Sequence, residues 1–140
     1  MAERLEVSAI WAGGYEARVA ARGHEIIVDE PPADGGGDAG PMPTELLCAA
    51  LASCFCLALG FAARKRGAQL PGLRVVVRSE RAGLELRYGR FDLEAEAEVP
   101  LEQLQALMEP ARRLCWVSNT LADGVELGYR CTSVDRRTRR

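Results

Sequence analysis

A chain of 140 residues, 48% hydrophobic and 27% charged, holds enough apolar material for one core and has no need of a second domain. Its formal net charge of −2 excludes a general affinity for nucleic acid or an anionic membrane, so the Arg-rich end, Arg136, Arg137, Arg139 and Arg140, reads as a solvated tail. Five cysteines without regular spacing make a poor disulfide framework and fit reduced thiols in the cytoplasm, and MAERLEVSAI lacks the basic-then-apolar pattern of a signal peptide.

Arg4 to Trp11 and Tyr15 to Ala21 alternate in polarity around Gly13-Gly14, which predicts a hairpin, and His24 to Val28 adds a third strand after Arg22-Gly23. Asp29 to Met42 is dense in proline and glycine and predicts an irregular loop. Pro43 to Lys65 then predicts one long helix. Pro43 suits a first helical position, Glu45 faces the positive end of the helix dipole, and Arg64, Lys65, Arg66 and Gly67 mark the stop. Leu47, Leu51, Ala58 and Phe61 recur at helical spacing while Leu46, Ala50, Cys54, Leu57 and Ala62 fill the other faces, so this helix must be covered all round. At about 1.5 Å per residue it is roughly 35 Å long, more than one small domain easily wraps, which points to a second copy of the chain. An Ala- and Cys-rich run with Glu45 at its mouth reads as a core helix rather than a membrane span.

Beyond Gly67 the period returns to two. Leu73 to Arg81 and Tyr88 to Val99 predict strands, the second with Phe91, Leu93, Ala95, Ala97 and Val99 on one face and Arg90, Asp92, Glu94, Glu96 and Glu98 on the wet one. Leu101, Leu104, Leu107 and Met108 predict a helix after Pro100, which Pro110 should kink or break before Arg112. Leu114 to Leu121 predicts a short helix and Val125 to Ser133 a last strand. Strands segregated from helices in this order give an α+β class with antiparallel pairing. The whole chain, 1–140, reads as a single domain: a three-stranded region at 1–28, a central helix at 43–66, a sheet and helices at 72–134, and a tail at 135–140.

Cysteines packed into an Ala-rich helix are most often filler. Cys54 and Cys56 point to different faces, Cys48 faces elsewhere again, and the lone His24 does not complete a metal site with them. No phosphate loop or Ser/His/Asp set is present.

Gly40-Pro41-Met42-Pro43-Thr44-Glu45-Leu46-Leu47 with Ala49-Ala50-Leu51-Ala52-Ser53-Cys54, and later Leu114-Cys115-Trp116-Val117-Ser118-Asn119-Thr120-Leu121, resemble the two signature regions of the OsmC/Ohr family. That family comprises thiol-dependent hydroperoxide reductases and relatives. The resemblance implies an intertwined homodimer with antiparallel sheets around the long central helices and a site at the subunit interface. It also implies that Cys54 is the peroxidatic thiol, Cys115 the resolving one and Glu45 the acidic residue of the helix-opening motif. The implied partners are an organic hydroperoxide and an external dithiol reductant, with no cofactor and no metal. Two features depart from the family pattern. No arginine lies between His24 and Glu45 to support Cys54, leaving Arg18, Arg22, Arg112 and Arg113 as candidates, and Trp116 follows Cys115 where many relatives have proline.

Such a pair has a physical logic. A thiolate attacks the O–O bond, an alcohol leaves, and the sulfenic acid condenses with a second thiol to a disulfide. Glu45 precedes Cys54 by nine residues, about 13 Å along the helix and about 180° around it, so it can serve only the Cys54 of a partner chain. The alternatives are a non-catalytic module binding an apolar small molecule at the dimer interface and an interaction protein whose cysteines are filler. Ser118 and Asn119 cap a turn in the plainest reading.

Overall fold

The structure, a computed structural model, describes residues 4–134; the Arg-rich tail at 135–140 lies outside them. Ser8–Gly13 (β1), Glu16–Ala21 (β2) and His24–Val28 (β3) form an antiparallel sheet in the order β1-β2-β3. Gly13 and Gly14 take positive φ at the first turn, where Trp11 Nε1–H donates to the Gly14 carbonyl at 3.0 Å. Ile10 and Trp11 alternate across β1, yet they are 71% and 76% exposed, so both faces of this strand are open to solvent.

The loop that follows is ordered around one side chain. Asp29 is 3% exposed, and its carboxylate accepts the N–H groups of Glu30, Gly37 and Ala39 at 2.8, 3.1 and 3.1 Å. Its own N–H donates to the Pro41 carbonyl at 3.1 Å. The Ala39 amide above all, with those of Glu30 and Gly37, holds the Asp29 carboxyl below the usual carboxylate range. A side chain at Gly36 would collide with the Glu30 carbonyl, which is why the turn needs glycine there.

Pro43–Lys65 (α1) starts where expected, with Met42 N–H donating to Glu45 Oε1 at 3.0 Å. Within one chain only one side of the helix is covered: Leu51, Phe55, Ala58, Leu59, Ala62 and Ala63 are buried, while Leu57 is 75% exposed. Helix α1 is long and apolar enough to cross a bilayer by length and composition, but it is also the centre of this core.

Arg74–Arg81 (β4) and Tyr88–Glu96 (β5) pair antiparallel, and Val75, Val77, Phe91, Leu93 and Ala95 turn inward onto α1. Ala97 and Val99 continue that inner face, as the alternation predicts. The outer face is charged, with Arg78–Glu94 at 2.8 Å and Arg74–Glu96 at 3.3 Å. Leu101–Leu114 (α2) buries Leu104, Leu107 and Ala111, and Trp116–Asp123 (α3) follows after the single residue Cys115.

Two expectations are corrected. Pro110 neither breaks nor ends α2, which runs on to Leu114. Proline lacks the N–H that would bond the Ala106 carbonyl, and that carbonyl instead accepts Arg66 Nη1–H at 3.2 Å, from the residue after α1. Val125–Ser133 is not a strand: beyond Gly124 the described chain has no regular structure, and Val125, Leu127 and Tyr129 are exposed, the segment being paired to no strand among the described residues and so without the ladder a strand needs.

Candidate functional site

Cys54 lies where the covered and uncovered sides of α1 meet. One turn away in either direction stand Leu51 and Ala58, which are buried, and Ala50 and Leu57, which are exposed. The thiol is accordingly half-buried and packs against the core cluster. Cys115 belongs to that same cluster and is 0% exposed, held between α2 and α3 with extended backbone at φ −85°, ψ 102°. The fold thus brings both sequence-nominated thiols to one core, one at its rim and one inside. Cys48 and Cys56 are half-buried elsewhere on α1, Cys131 is exposed, and none of the five cysteines is in a disulfide.

Glu45 is not beside Cys54 of its own chain. Its carboxylate caps α1 through Met42 and lines an open groove with Thr44, Cys48, Arg74, Val77 and Tyr88. Three of the four nominated arginines are engaged elsewhere: Arg112 and Arg113 both bond Glu109, at 3.0 and 3.3 Å, and Arg18 lies 3.8 Å from Glu16, while Arg22 is exposed at the β2–β3 turn with φ 57°. The Arg112 hydrogen bond, more than any other contact, lowers the Glu109 carboxyl. Trp116 is exposed at the start of α3.

A second concavity is larger. An open groove of about 660 Å³ is lined by Thr44, Leu47, Leu86, Tyr88, Phe91 and Leu121, with Arg81 and Arg87 at its edge. Neither Cys54 nor Cys115 lines it. Both arginines are spent, Arg81 on the carbonyls of Glu85 and Leu84 and Arg87 on the Glu85 carboxylate, so the groove presents itself as apolar. Among the described residues no group of three or more His, Cys, Asp or Glu side chains is arranged to hold a metal.

The roles of three residues are not those read from the sequence. Asp29 was signalled by its place before a Gly/Pro run, where Asp bonds nearby backbone. Arg66 was signalled by the carbonyl that Pro110 had to leave without a donor. Asn119 was read as a local cap, yet its side chain reaches back six residues, to the Arg113 carbonyl at 3.2 Å.

Residues 35–130 match the family described as OsmC-like protein. No curated protein matches the chain. Among solved structures, the OsmC-like protein of Mycoplasma pneumoniae superposes with a TM-score of 0.75 at 16% identity, covering 87% of this chain and 89% of that one. An organic hydroperoxide resistance protein from Elizabethkingia anophelis gives 0.62 at 26% identity, covering 85% and 88%. A putative organic hydroperoxide resistance protein of Vibrio cholerae, with captopril bound in one of its active sites, gives 0.62 at 25%, covering 86% and 87%.

Proposed function

The chain belongs to the OsmC-like protein family, and from that premise we propose that it is a thiol-dependent peroxidase that reduces organic hydroperoxides with Cys54. The observation that carries this reading is the pairing of thiols about one core, Cys54 half-buried at the rim and Cys115 fully buried within. Cys54 as thiolate attacks the outer oxygen of the hydroperoxide, the O–O bond breaks, and the alcohol leaves with a proton. The Cys54 sulfenic acid then condenses with the Cys115 thiol, forming S–S and releasing water. An external dithiol restores both thiols by exchange, which suits a compartment that keeps cysteines reduced, the cytoplasm.

The working unit is a homodimer. Leu57 at 75% exposure, Ile10, Trp11 and the apolar residues of 125–134 leave more uncovered apolar surface than a lone soluble chain ordinarily carries, and a second copy covers it reciprocally. Cys54, one turn from Leu57, then lies at the subunit boundary. Glu45 acts there on the partner's site if it acts at all, since in its own chain it caps α1.

Adding an alkyl hydroperoxide and counting free thiols tests the chemistry. Loss of two thiols per chain with a Cys54–Cys115 link, abolished by Cys54→Ser, is the expected result; unchanged thiols overturn it. The apolar groove of Leu47, Leu86, Phe91 and Leu121 favours a second reading, a module binding an apolar small molecule. Unchanged thiols together with a retained apolar ligand would select that reading.

A further inference from the structure

Cys115 is the only residue between two helices, and the groups around it are unevenly bonded. A helix end leaves its last four carbonyls without intrahelical donors. At the end of α2 the Arg112 carbonyl accepts the Cys115 N–H at 3.4 Å, and the Arg113 carbonyl accepts Asn119 Nδ2–H at 3.2 Å. Asn119 sits in the first turn of α3, where its own N–H donates to the Cys115 carbonyl at 3.0 Å. The Ser118 hydroxyl donates to that same carbonyl at 3.2 Å. Asn119 is therefore bonded on both sides of Cys115, to the end of one helix by its side chain and into the next by its backbone. The last turn of α2 is held on its outer side by the bonds of Arg112 and Arg113 to Glu109. Beneath this joint the thiol has no exposure to water.

We propose that Asn119 is a positioning residue that latches the α2–α3 joint shut over Cys115, so that opening of the joint sets how fast the Cys115 thiol becomes available to react. The consequence for turnover rests on the peroxidase reading. Oxidised Cys54 waits as the sulfenic acid until the joint opens; the Cys115 sulfur then bonds the Cys54 sulfur, the S–O bond breaks, and hydroxide leaves as water with the proton from Cys115. The latch itself does not depend on that chemistry.

The test alkylates the reduced, full-length protein in its native assembly with iodoacetamide and follows each cysteine by mass spectrometry. Asn119→Asp keeps the shape, replaces the donor by an acceptor facing the Arg113 carbonyl, and places negative charge where the dipole of α3 favours it, so the helix itself is not undermined. Cys115 alkylation should rise about three- to tenfold in Asn119→Ala and Asn119→Asp, the factor set by one exposed hydrogen bond. Cys56 should keep its rate, and Asn119→Gln, which retains a donor, should return Cys115 towards wild type. An unchanged Cys115 rate in both donor-less variants overturns the latch, as does a Cys56 rate that rises in step, which would mean general loosening. In single turnover with hydroperoxide, the interval between Cys54 oxidation and disulfide formation should shorten by the same factor in Asn119→Ala; a longer interval would make Asn119 an aligner of Cys115 and sink the latch. Should Cys54 of the wild type resist oxidation, the peroxidase reading falls, and the alkylation rates alone still decide the latch.

Discussion

Leu59 and Leu57 stand two residues apart on α1, the first fully buried and the second 75% exposed, and the same contrast divides the whole chain. Between Pro43 and Asp123 apolar residues close on one another along one side of α1, which the β4–β5 pair, α2 and α3 cover, with Leu51, Leu59, Leu107 and Cys115 fully inside. Before Pro43 and after Asp123 they do not. The sheet β1-β2-β3 buries only Val28 among its large side chains, and the stretch from Val125 to Val134 keeps its apolar residues in water. The difference teaches that equal hydrophobicity in sequence does not mean equal service in one chain. The central region holds a core closed along one side of α1, whereas the far side of α1 at Leu57 and the two ends of the chain leave apolar surface uncovered.

Substitution on either side of that divide separates the two kinds of surface. Leu59→Ala removes a fully buried side chain and should cost about 2–5 kcal/mol, read as a fall in the urea midpoint that does not depend on protein concentration. Leu57→Asp should leave the core intact and instead convert dimer to monomer, seen by sedimentation at low micromolar concentration. A Leu57→Asp protein that sediments as wild type would mean that this face is not the one a second copy covers. Trp11→Ser should act in the same direction as Leu57→Asp and less strongly.

The loop joining the two regions has its own signature. Because backbone N–H groups hold the folded Asp29 carboxyl below 3.8, the ionised form is favoured in the folded chain. Its contribution is present at pH values above that unfolded reference and is lost as pH falls through the lower, folded value. Asp29→Asn should therefore lower the urea midpoint at pH 7 and lose that deficit progressively below about pH 4. Asp92 and Glu109 are also lowered, chiefly by hydrogen bonds from Arg90 and Arg112, so the wild-type acid limb contains their share and only the difference between the two proteins reports Asp29. An Asn variant with the same deficit at every pH would show that shape rather than charge holds the loop.

The divide also explains what was legible in the sequence. Periodicity located α1 at Pro43, the inward face of β5 and the start of α2, because in each the chain's own neighbours reward the pattern. Val125–Ser133 has an equally good alternating pattern, yet it forms no strand, since it pairs with no strand among the described residues and a ladder needs a partner. The nominated site divides the same way. Cys54 and Cys115 were recognisable from their motifs and do share a core cluster; the ties of Arg112 and Arg113 to Glu109, three and four residues back, and of Glu45 to Met42 follow helix spacing rules that the search for a charge beside Cys54 left unused.

The smallest expected effect lies inside the central core, where Pro110 was expected to kink or break α2 and the helix instead runs on to Leu114. Pro110 leaves the Ala106 carbonyl without its helical donor, and Arg66 supplies one from the end of α1 at 3.2 Å. If the two facts are cause and compensation, they must be coupled. Arg66→Ala alone should cost about 0.5–1.5 kcal/mol, the range for one net hydrogen bond. In a Pro110→Ala background residue 110 regains an N–H for that carbonyl, the arginine becomes redundant, and the same substitution should cost much less. Four urea titrations, of the wild type, each single variant and the double variant, measure the coupling directly. Equal costs of Arg66→Ala in both backgrounds would show that α2 tolerates Pro110 without help from α1, and that the contact between Arg66 and Ala106 is a surface coincidence.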